Sequence, residues 1–280
     1  DAPRSKDLRF DFPTNSPDKA LEKATVFVNA TNHLQWFRQL PTATQLWQPK
    51  QIYLNVLTPI NNNSEQRTQY FDPNKAEYRP GTSKSRASIL LAAGDRVALE
   101  NLLIDPDVVA HELGHDFIYH RITSTQGESV VLHEGLADYF VMAHTKDSCL
   151  GNSICPNSST TCAHPPRCLR DANNDLTFTG KLPEAHHAKG QLFSGLMWDI
   201  GKQIGHTESA SLLAGAIFFL KSNSGYSEFI TSLLVANQKF FQNKHYCSIQ
   251  SSLIKRGFEK QLQAAMQIKI FQGVRFPECE

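Results

Sequence analysis

The sequence predicts an α+β fold with two lobes, because strand-like segments lie in its first third and helix-like segments follow them. Apolar and polar residues alternate in 51–60, as they do in half-buried strands, and 85–95 is predicted to form a further strand that ends on Gly94. From residue 106 onward, apolar residues instead recur at helical spacing. We therefore expect a mixed α/β N-terminal lobe over 1–122 and a mainly helical C-terminal lobe over 123–280.

Two further elements are expected in the N-terminal lobe. Apolar positions near helical spacing predict a helix over 20–40, and Pro41 would end it because proline cannot continue the hydrogen-bond ladder. The Asp-Pro-Asn sequence at 72–74 is typical of a turn, so the surrounding residues are predicted to form a strand–turn–strand unit.

A helix is predicted to begin at Pro106. Asp105 is a good N-cap, because its carboxylate can accept hydrogen bonds from the first free backbone amides of the helix. Proline suits the first helical position, and the charge of Asp107 suits the positive end of the helix dipole.

The next helix is predicted over about 127–145. Thr125 and Glu128 have the spacing of a capping box, in which each side chain bonds the other residue's backbone amide. From Leu192 to the C-terminus the pattern is almost wholly helical, which completes the helical lobe.

Charge and hydropathy argue against several classes of partner. The chain has 280 residues and a net charge of +1, so it offers no general attraction to nucleic acid. Its longest apolar run, at 212–220, is too short to cross a bilayer, which takes about 20 residues, so we expect no membrane insertion. We also expect a monomer.

The cysteines indicate an oxidising compartment. There are six, and four of them lie in a Ser-, Asn- and Pro-rich insert at 149–168. A zinc knuckle is the alternative, but none of the four has the C-x2-C spacing usual in such sites. We favour nested disulfides over sequential ones in the insert, and a third that fastens the tail: Cys149–Cys168, Cys155–Cys162 and Cys247–Cys279.

These features predict a secreted protein, extracellular or periplasmic. The first residues, "DAPRSKDLRFDF", lack the apolar core of a signal peptide. We therefore expect the sequence to be a mature form from which a propeptide has been removed.

The segment "HELGH" at 111–115 carries the strongest chemical signal. Residues four apart on a helix point the same way, so His111 and His115 can bind one metal ion. Glu112 lies about 100° round the helix, where it can hold a water molecule beside that ion.

A second pair of residues, on the next predicted helix, completes the set. Glu134 supplies a third ligand, and two His with one Glu is a donor set of catalytic zinc sites. Asp138, one turn later, can accept a hydrogen bond from a ligating imidazole and fix its tautomer. Two amphipathic helices with solvated carboxylates are the alternative, but that reading does not explain acidic residues placed opposite a His pair.

With eighteen residues between its second histidine and the glutamate of "HEGLADYF", this motif resembles the gluzincin metallopeptidases. The segment "PDVVAHELGHDF" is similar to the thermolysin and fungalysin type, although the gap also matches the aminopeptidase N type. Fungalysins carry an oxyanion-stabilising histidine in H-x-x-G, which 187–190 matches. His186 competes with His187 for that role, and Glu184 or Asp199 could orient the ring.

The resemblance implies a two-lobed zincin fold and a secreted zinc endopeptidase acting on polypeptides with one Zn²⁺. In that reading Glu112 activates the water and His187 stabilises the oxyanion. A substrate-gripping Asn of the thermolysin type is absent, and Thr68 or Gln69 would replace it. The alternatives are an aminopeptidase-type exopeptidase, for which no GxMEN motif is present, and a non-catalytic zinc-binding module on a protease scaffold.

A calcium ion is a weaker expectation. Asp171, Asn173 and Asp175 have the first spacings of an EF-hand loop, and calcium stabilises many thermolysin-like proteases. However, Leu176 stands where the loop needs glycine, and Leu182 where it needs glutamate. An ordinary turn rich in Asp and Asn is the alternative.

Overall fold

A computed structural model describes residues 20–46, 53–56, 72–83, 85–157, 159–162, 167–274 and 276–279 of the chain. The helices of this part of the chain are α1 Ala20–Phe37, α2 Pro41–Leu46, α3 Pro106–Tyr119, α4 Gly127–Thr145, α5 His186–Ile204, α6 His206–Phe218, α7 Tyr226–Phe241, α8 Tyr246–Lys255 and α9 Glu259–Met266. The strands are β1 Tyr53–Val56, β2 Ala76–Arg79, β3 Ser88–Leu91, β4 Cys149–Leu150 and β5 Arg170–Asp171.

The three longer strands form one small sheet with β3 in the centre. Strand β1 runs parallel to β3, with Leu54 opposite Ile89, and β2 runs antiparallel to it, with Tyr78 opposite the same residue. Strand β2 contacts α3, so the edge of the sheet lies along the helix that carries the HELGH segment.

The described residues form two apolar cores, and helix α3 contributes to both. Val109 and Leu113 pack into the smaller core with β3 and part of α1, whereas Phe117 and Ile118 pack into the larger core of the C-terminal helices. Helix α3 therefore lies between the lobes. Ile154 of the Cys-rich insert lies beyond residue 122 in the sequence but packs into the smaller core with the N-terminal elements. The domain boundary at residue 122 stays a prediction.

The predicted starts of two helices have different outcomes. Asp105 caps α3 as predicted, with its carboxylate accepting from the backbone amides of Asp107 and Val108. The capping box at the start of α4 is wrong, because Gln126 is the N-cap and makes no side-chain capping bond. Glu128 instead accepts at 2.8 Å from the backbone amide of Tyr226, which joins the start of α4 to that of α7.

Helix α4 crosses its two neighbours at glycines. A Cβ on Gly135 would lie 2.2 Å from the carbonyl oxygen of Gly190 on α5, well inside van der Waals contact. A Cβ on Gly114 of α3 would lie 3.0 Å from Cα of Ala137 on α4. The three helices therefore pack almost backbone to backbone, which brings their side chains together at one place.

Three disulfides join Cys149 to Cys168, Cys155 to Cys162 and Cys247 to Cys279, the nested arrangement favoured from the sequence. Helix α5 begins six residues earlier than we predicted, at His186 rather than Leu192. No helix within the described residues combines the length and apolar character that a membrane span requires.

Candidate metal centre

Three ligand atoms from α3 and α4 converge on one point. Nε2 of His111 lies 3.0 Å from Nε2 of His115, one turn further along α3. Oε2 of Glu134, on α4, lies 3.4 Å from the first of these nitrogens and 3.8 Å from the second. Among the described residues, these three are the group of His, Cys, Asp or Glu side chains placed to hold a metal ion.

The distances fit a tetrahedral zinc site. Zn–N and Zn–O bonds of about 2.0–2.2 Å place neighbouring ligand atoms roughly 3.3–3.5 Å apart at the corners of a tetrahedron. The three observed separations, 3.0, 3.4 and 3.8 Å, lie around that value. Two His and one Glu leave a fourth position for water or substrate, the arrangement of catalytic rather than structural zinc.

Asp138 lies beside the first histidine, as predicted for a residue that would orient it. Its Oδ1 lies 2.8 Å from Nδ1 of His111, on the side of the ring away from the other ligands. Burial alone would lower the pKa of His111, but the hydrogen-bonded Asp138 carboxylate raises it, to about 10. Because Nδ1 faces the carboxylate of Asp138, Nε2 is the ring nitrogen that faces His115 and Glu134.

The carboxylate of Asp138 is itself held by Arg170, a residue that we did not find from the sequence. Arg170 donates from Nε at 2.6 Å and from Nη2 at 2.8 Å, a two-bond contact on a fully buried carboxylate. Burial would raise the pKa of Asp138, but Arg170 and His111 lower it to about 2. Thirty-two positions separate Arg170 from Asp138, so no local pattern indicates the contact.

Glu112 is buried beside this group without being part of it. Burial raises the pKa of its carboxyl group, the charge of His111 lowers it, and the charge of Glu134 raises it further. The resulting pKa is about 7. The backbone amide of Tyr78, on strand β2, donates to the same carboxylate. The hydrogen bond from Tyr78 therefore fixes the position of the Glu112 carboxylate beside the candidate ligands.

The imidazole of His187 is the predicted oxyanion group, and it lies at the mouth of the same site. Its Nε2 is 3.1 Å from Oε2 of Glu134, and 62% of its side chain is exposed. It stands in the first turn of α5, one turn before Gly190, whose contact with α4 sets this position. His186 is exposed and does not line the cleft.

The suggestion that Asp199 orients the His187 ring is wrong. Asp199 lies three turns further along α5, where its Oδ2 accepts from Nε of buried Arg256 at 2.7 Å and its Oδ1 from Lys255 at 2.8 Å. Glu184, the other suggested partner, is exposed.

Two cavities flank the candidate ligands and share His111, Glu112 and His187 in their walls, so they are two halves of one cleft. One, of about 250 Å³, is lined by Tyr78, Tyr119 and His133 among others. The other, of about 490 Å³, is largely apolar and includes residues of the Cys-rich insert.

Aromatic and acidic side chains that sequence reasoning missed support the smaller half. The hydroxyl of Tyr78 donates at 2.8 Å to Oδ1 of Asp116, which follows the HELGH segment on α3. Nε2 of His133 lies 2.8 Å from the carbonyl oxygen of Ile122. Strand β2 and helix α3 meet here, and the sequence of neither segment indicates that contact.

The structure does not support the calcium prediction for Asp171, Asn173 and Asp175. The carboxylate of Asp171 accepts from the backbone amide of Asn173, as in an ordinary Asx turn. Asn174 in the same loop accepts from the guanidinium of Arg256, which also binds the carbonyl of Leu176. The predicted substrate-gripping residues, Thr68 and Gln69, lie outside the described residues.

Comparison with known proteins supports the fold. No family model matches the sequence, and no curated protein matches it. Among solved structures, the chain is similar to the precursor of protealysin, a metalloproteinase from Serratia proteamaculans. The TM-score is 0.62 at 11% sequence identity, over 87% of this chain and 80% of the other. This likeness confirms the predicted α+β, two-lobed zincin fold.

Proposed function

We propose that the protein is a zinc-dependent peptidase that hydrolyses polypeptides. The observation that carries the proposal is the convergence of His111, His115 and Glu134 on one point, with the carboxylate of Glu112 beside them in an open cleft. The likeness to a metalloproteinase precursor supports it at the level of fold. Zinc is proposed because the donor set and the separations fit it.

A zinc ion bound by these residues would polarise the scissile carbonyl and lower the pKa of a water molecule to about 7. Glu112 accepts a proton from the attacking water and delivers it to the nitrogen of the leaving amine, so the C–N bond breaks with the proton balance closed. His187 donates from its imidazole to the oxygen that becomes negative in the tetrahedral intermediate. Asp138 and Arg170 keep His111 oriented throughout.

Endopeptidase action is proposed over exopeptidase action. An aminopeptidase needs an acidic side chain free to bind the substrate's terminal amine. Glu77 lines the smaller half of the cleft, but its carboxylate already pairs with Lys75 and Arg79, each at 3.1 Å. The cleft also continues on both sides of Glu112, which suits a chain that passes through.

A non-catalytic zinc-binding module is the less favoured reading. Such a module needs the metal ligands but not a buried carboxylate beside them, and Glu112 occupies that place. Secretion is proposed from the three disulfides, and removal of a propeptide from the likeness to a protease precursor.

Hydrolysis of casein with and without a chelator tests the proposal. We expect cleavage that the chelator abolishes and added Zn²⁺ restores. End-group analysis of the products should show internal cleavage, whereas stepwise release of single amino acids would contradict endopeptidase action.

The first prediction concerns the general base. Glu112→Gln should keep one zinc per chain yet lose at least about 100-fold in kcat, because the amide cannot accept the proton of the water. Zinc content by atomic absorption and hydrolysis of casein measure the two properties. Glu100→Gln, a partly exposed glutamate in the N-terminal lobe, is the matched control and should leave both unchanged. Full activity of Glu112→Gln contradicts the proposed mechanism.

A further inference from the structure

The larger half of the cleft has walls from both lobes and from the Cys-rich insert. Leu99, Leu102 and Val108 come from the N-terminal lobe, and Leu150 and Thr161 from the insert. Its volume of about 490 Å³ and the leucine and valine side chains in its wall suit an apolar substrate side chain. The cavity adjoins His111 and Glu112, so that side chain would belong to a residue next to the scissile bond.

The insert is fixed to the N-terminal lobe by backbone hydrogen bonds. The amide of Gly151 donates at 2.9 Å to Asp107 at the start of α3, and the amide of Glu100 donates at 2.9 Å to the carbonyl of Ile154. Ile154 is fully buried in the smaller core. The described part of the insert is therefore held against the N-terminal lobe and forms one wall of the cleft.

Thr161 is the exposed one of the two insert residues that line the cavity, whereas Leu150 is buried. It lies beside Cys162, which is buried in the smaller core and bonded to Cys155. Its backbone amide donates at 3.1 Å to the hydroxyl of Ser159, whose hydroxyl in turn donates at 2.6 Å to the carbonyl of Ala98. The side chain of Thr161 is small and exposed to the cavity, so its size can change without disturbing a core.

We propose that Thr161, held by the Cys155–Cys162 disulfide, determines the size of the substrate side chain accepted in the larger half of the cleft. This inference rests on the proposed peptidase function. The insert acts as a specificity wall: a larger residue at position 161 shortens the space available to the substrate, and a smaller one lengthens it.

Substitutions at this position test the proposal with a series of quenched fluorescent peptides. The peptides differ only in one residue beside the scissile bond, either Ala, Val, Leu or Phe, placed on each side in turn. We expect Thr161→Phe to lower kcat/KM for the Leu and Phe peptides by about 10-fold or more relative to Ala. Thr161→Ala should shift the preference in the opposite direction.

Thr160→Phe is the matched control, because Thr160 is the exposed neighbour that does not line the cavity. It should leave the preference unchanged. An equal change for all peptides in Thr161→Phe, or the same change in Thr160→Phe, overturns the inference. If the wild-type protein cleaves no peptide at all, the proposed function itself has failed, so the two failures are distinguishable.

Removal of the disulfide tests its part in the proposal. In the double variant Cys155→Ala and Cys162→Ala, the preference between Ala and Phe peptides should weaken while zinc content stays at one per chain. An unchanged preference shows that the disulfide does not hold Thr161. The single substitutions at Thr161 keep the size effect testable even if the double variant does not fold.

Discussion

Asp138 contacts two residues that lie far apart in the sequence, the candidate ligand His111 and the cation Arg170. One oxygen faces the ring of His111, and both oxygens accept from Arg170. The carboxylate is fully buried, so its charge is stabilised by these two partners and not by water. At the scale of single residues, we expect the orientation of the candidate metal ligand His111 to depend on this contact.

Asp138→Asn should therefore weaken zinc binding without removing a ligand. The amide has one acceptor atom where two are needed, and it removes the carboxylate charge that pairs with the guanidinium of Arg170. We expect the dissociation constant for zinc to rise by about 10- to 100-fold. Competition with a chromophoric chelator measures it.

The control for this change is Asp147→Asn. Asp147 is an exposed aspartate just after α4, and its carboxylate accepts from the amide of Cys149 at 3.0 Å, a bond that an Asn oxygen can keep. Equal zinc affinity in Asp138→Asn and in Asp147→Asn would show that Asp138 does not orient the ligand.

At the scale of elements, the crossing of α4 and α5 sets the distance between Glu134 and His187. A Cβ on Gly190 would lie 2.8 Å from the amide nitrogen of Gly135 and 3.0 Å from Cβ of Glu134. Both glycines flank the candidate site, so the helices can approach only where the side chains are absent.

Gly190→Ala should separate the two helices and move the candidate ligand. The added methyl group meets backbone atoms that cannot rotate away, so we expect a loss of about 1–3 kcal/mol in the free energy of unfolding. A fall in zinc affinity should accompany it, because the methyl group also meets Cβ of Glu134. Urea unfolding and zinc competition measure the two effects.

Gly180→Ala serves as the control for that substitution. A Cβ at Gly180 would meet the hydroxyl of Thr177 at 2.8 Å, and that side chain is able to rotate. Its stability and zinc affinity should match those of the wild-type protein. Wild-type behaviour of Gly190→Ala would mean that the close crossing does not position the site.

Local patterns predicted the parts of the fold and site that depend on neighbours in sequence. Three of these relations involve only residues within about one helical turn of each other. They are the cap at Asp105, the spacing of His111 and His115, and the same spacing of Glu134 and Asp138. Hydrogen-bond geometry and helical periodicity fix such relations without the rest of the chain.

Contacts between distant elements could not be predicted in this way. Glu128 fits a capping box by spacing, yet its carboxylate bonds an amide 98 residues away. Asp199 was one of two residues suggested to orient His187, but its carboxylate instead accepts from Arg256, 57 residues further along the chain. Each of these contacts joins elements that are far apart in the sequence, so it depends on the tertiary fold.

At the scale of the whole molecule, α1 of the N-terminal lobe also contacts α4 of the helical lobe through a pair of histidines. His33 of α1 is buried, and its Nδ1 lies 3.2 Å from Nδ1 of His144 near the end of α4. The ring of Trp36 stacks on that of His144 with 4.8 Å between centroids. A polar pair of imidazoles thus lies within an aromatic cluster that connects the N-terminal helix to the helical lobe.

This pair should make the folded protein sensitive to acid. Burial, and then the neighbouring His144, lower the pKa of His33 from 6.5 to about 3. Below pH 6.5 the unfolded chain therefore binds a proton at His33 that the folded chain does not. The contribution of His33 to the free energy of unfolding is present in full above pH 6.5 and is lost as the pH decreases toward 3. From pH 6.5 to pH 5, this residue should lower the free energy of unfolding by about 2 kcal/mol. Urea unfolding at both pH values measures that difference.

His33→Phe, which keeps a ring among its aromatic neighbours, should reduce the difference, whereas His186→Phe on the exposed start of α5 should retain it. An equal acid sensitivity in the wild-type protein and His33→Phe would show that His33 binds its proton equally well in the folded and unfolded chains.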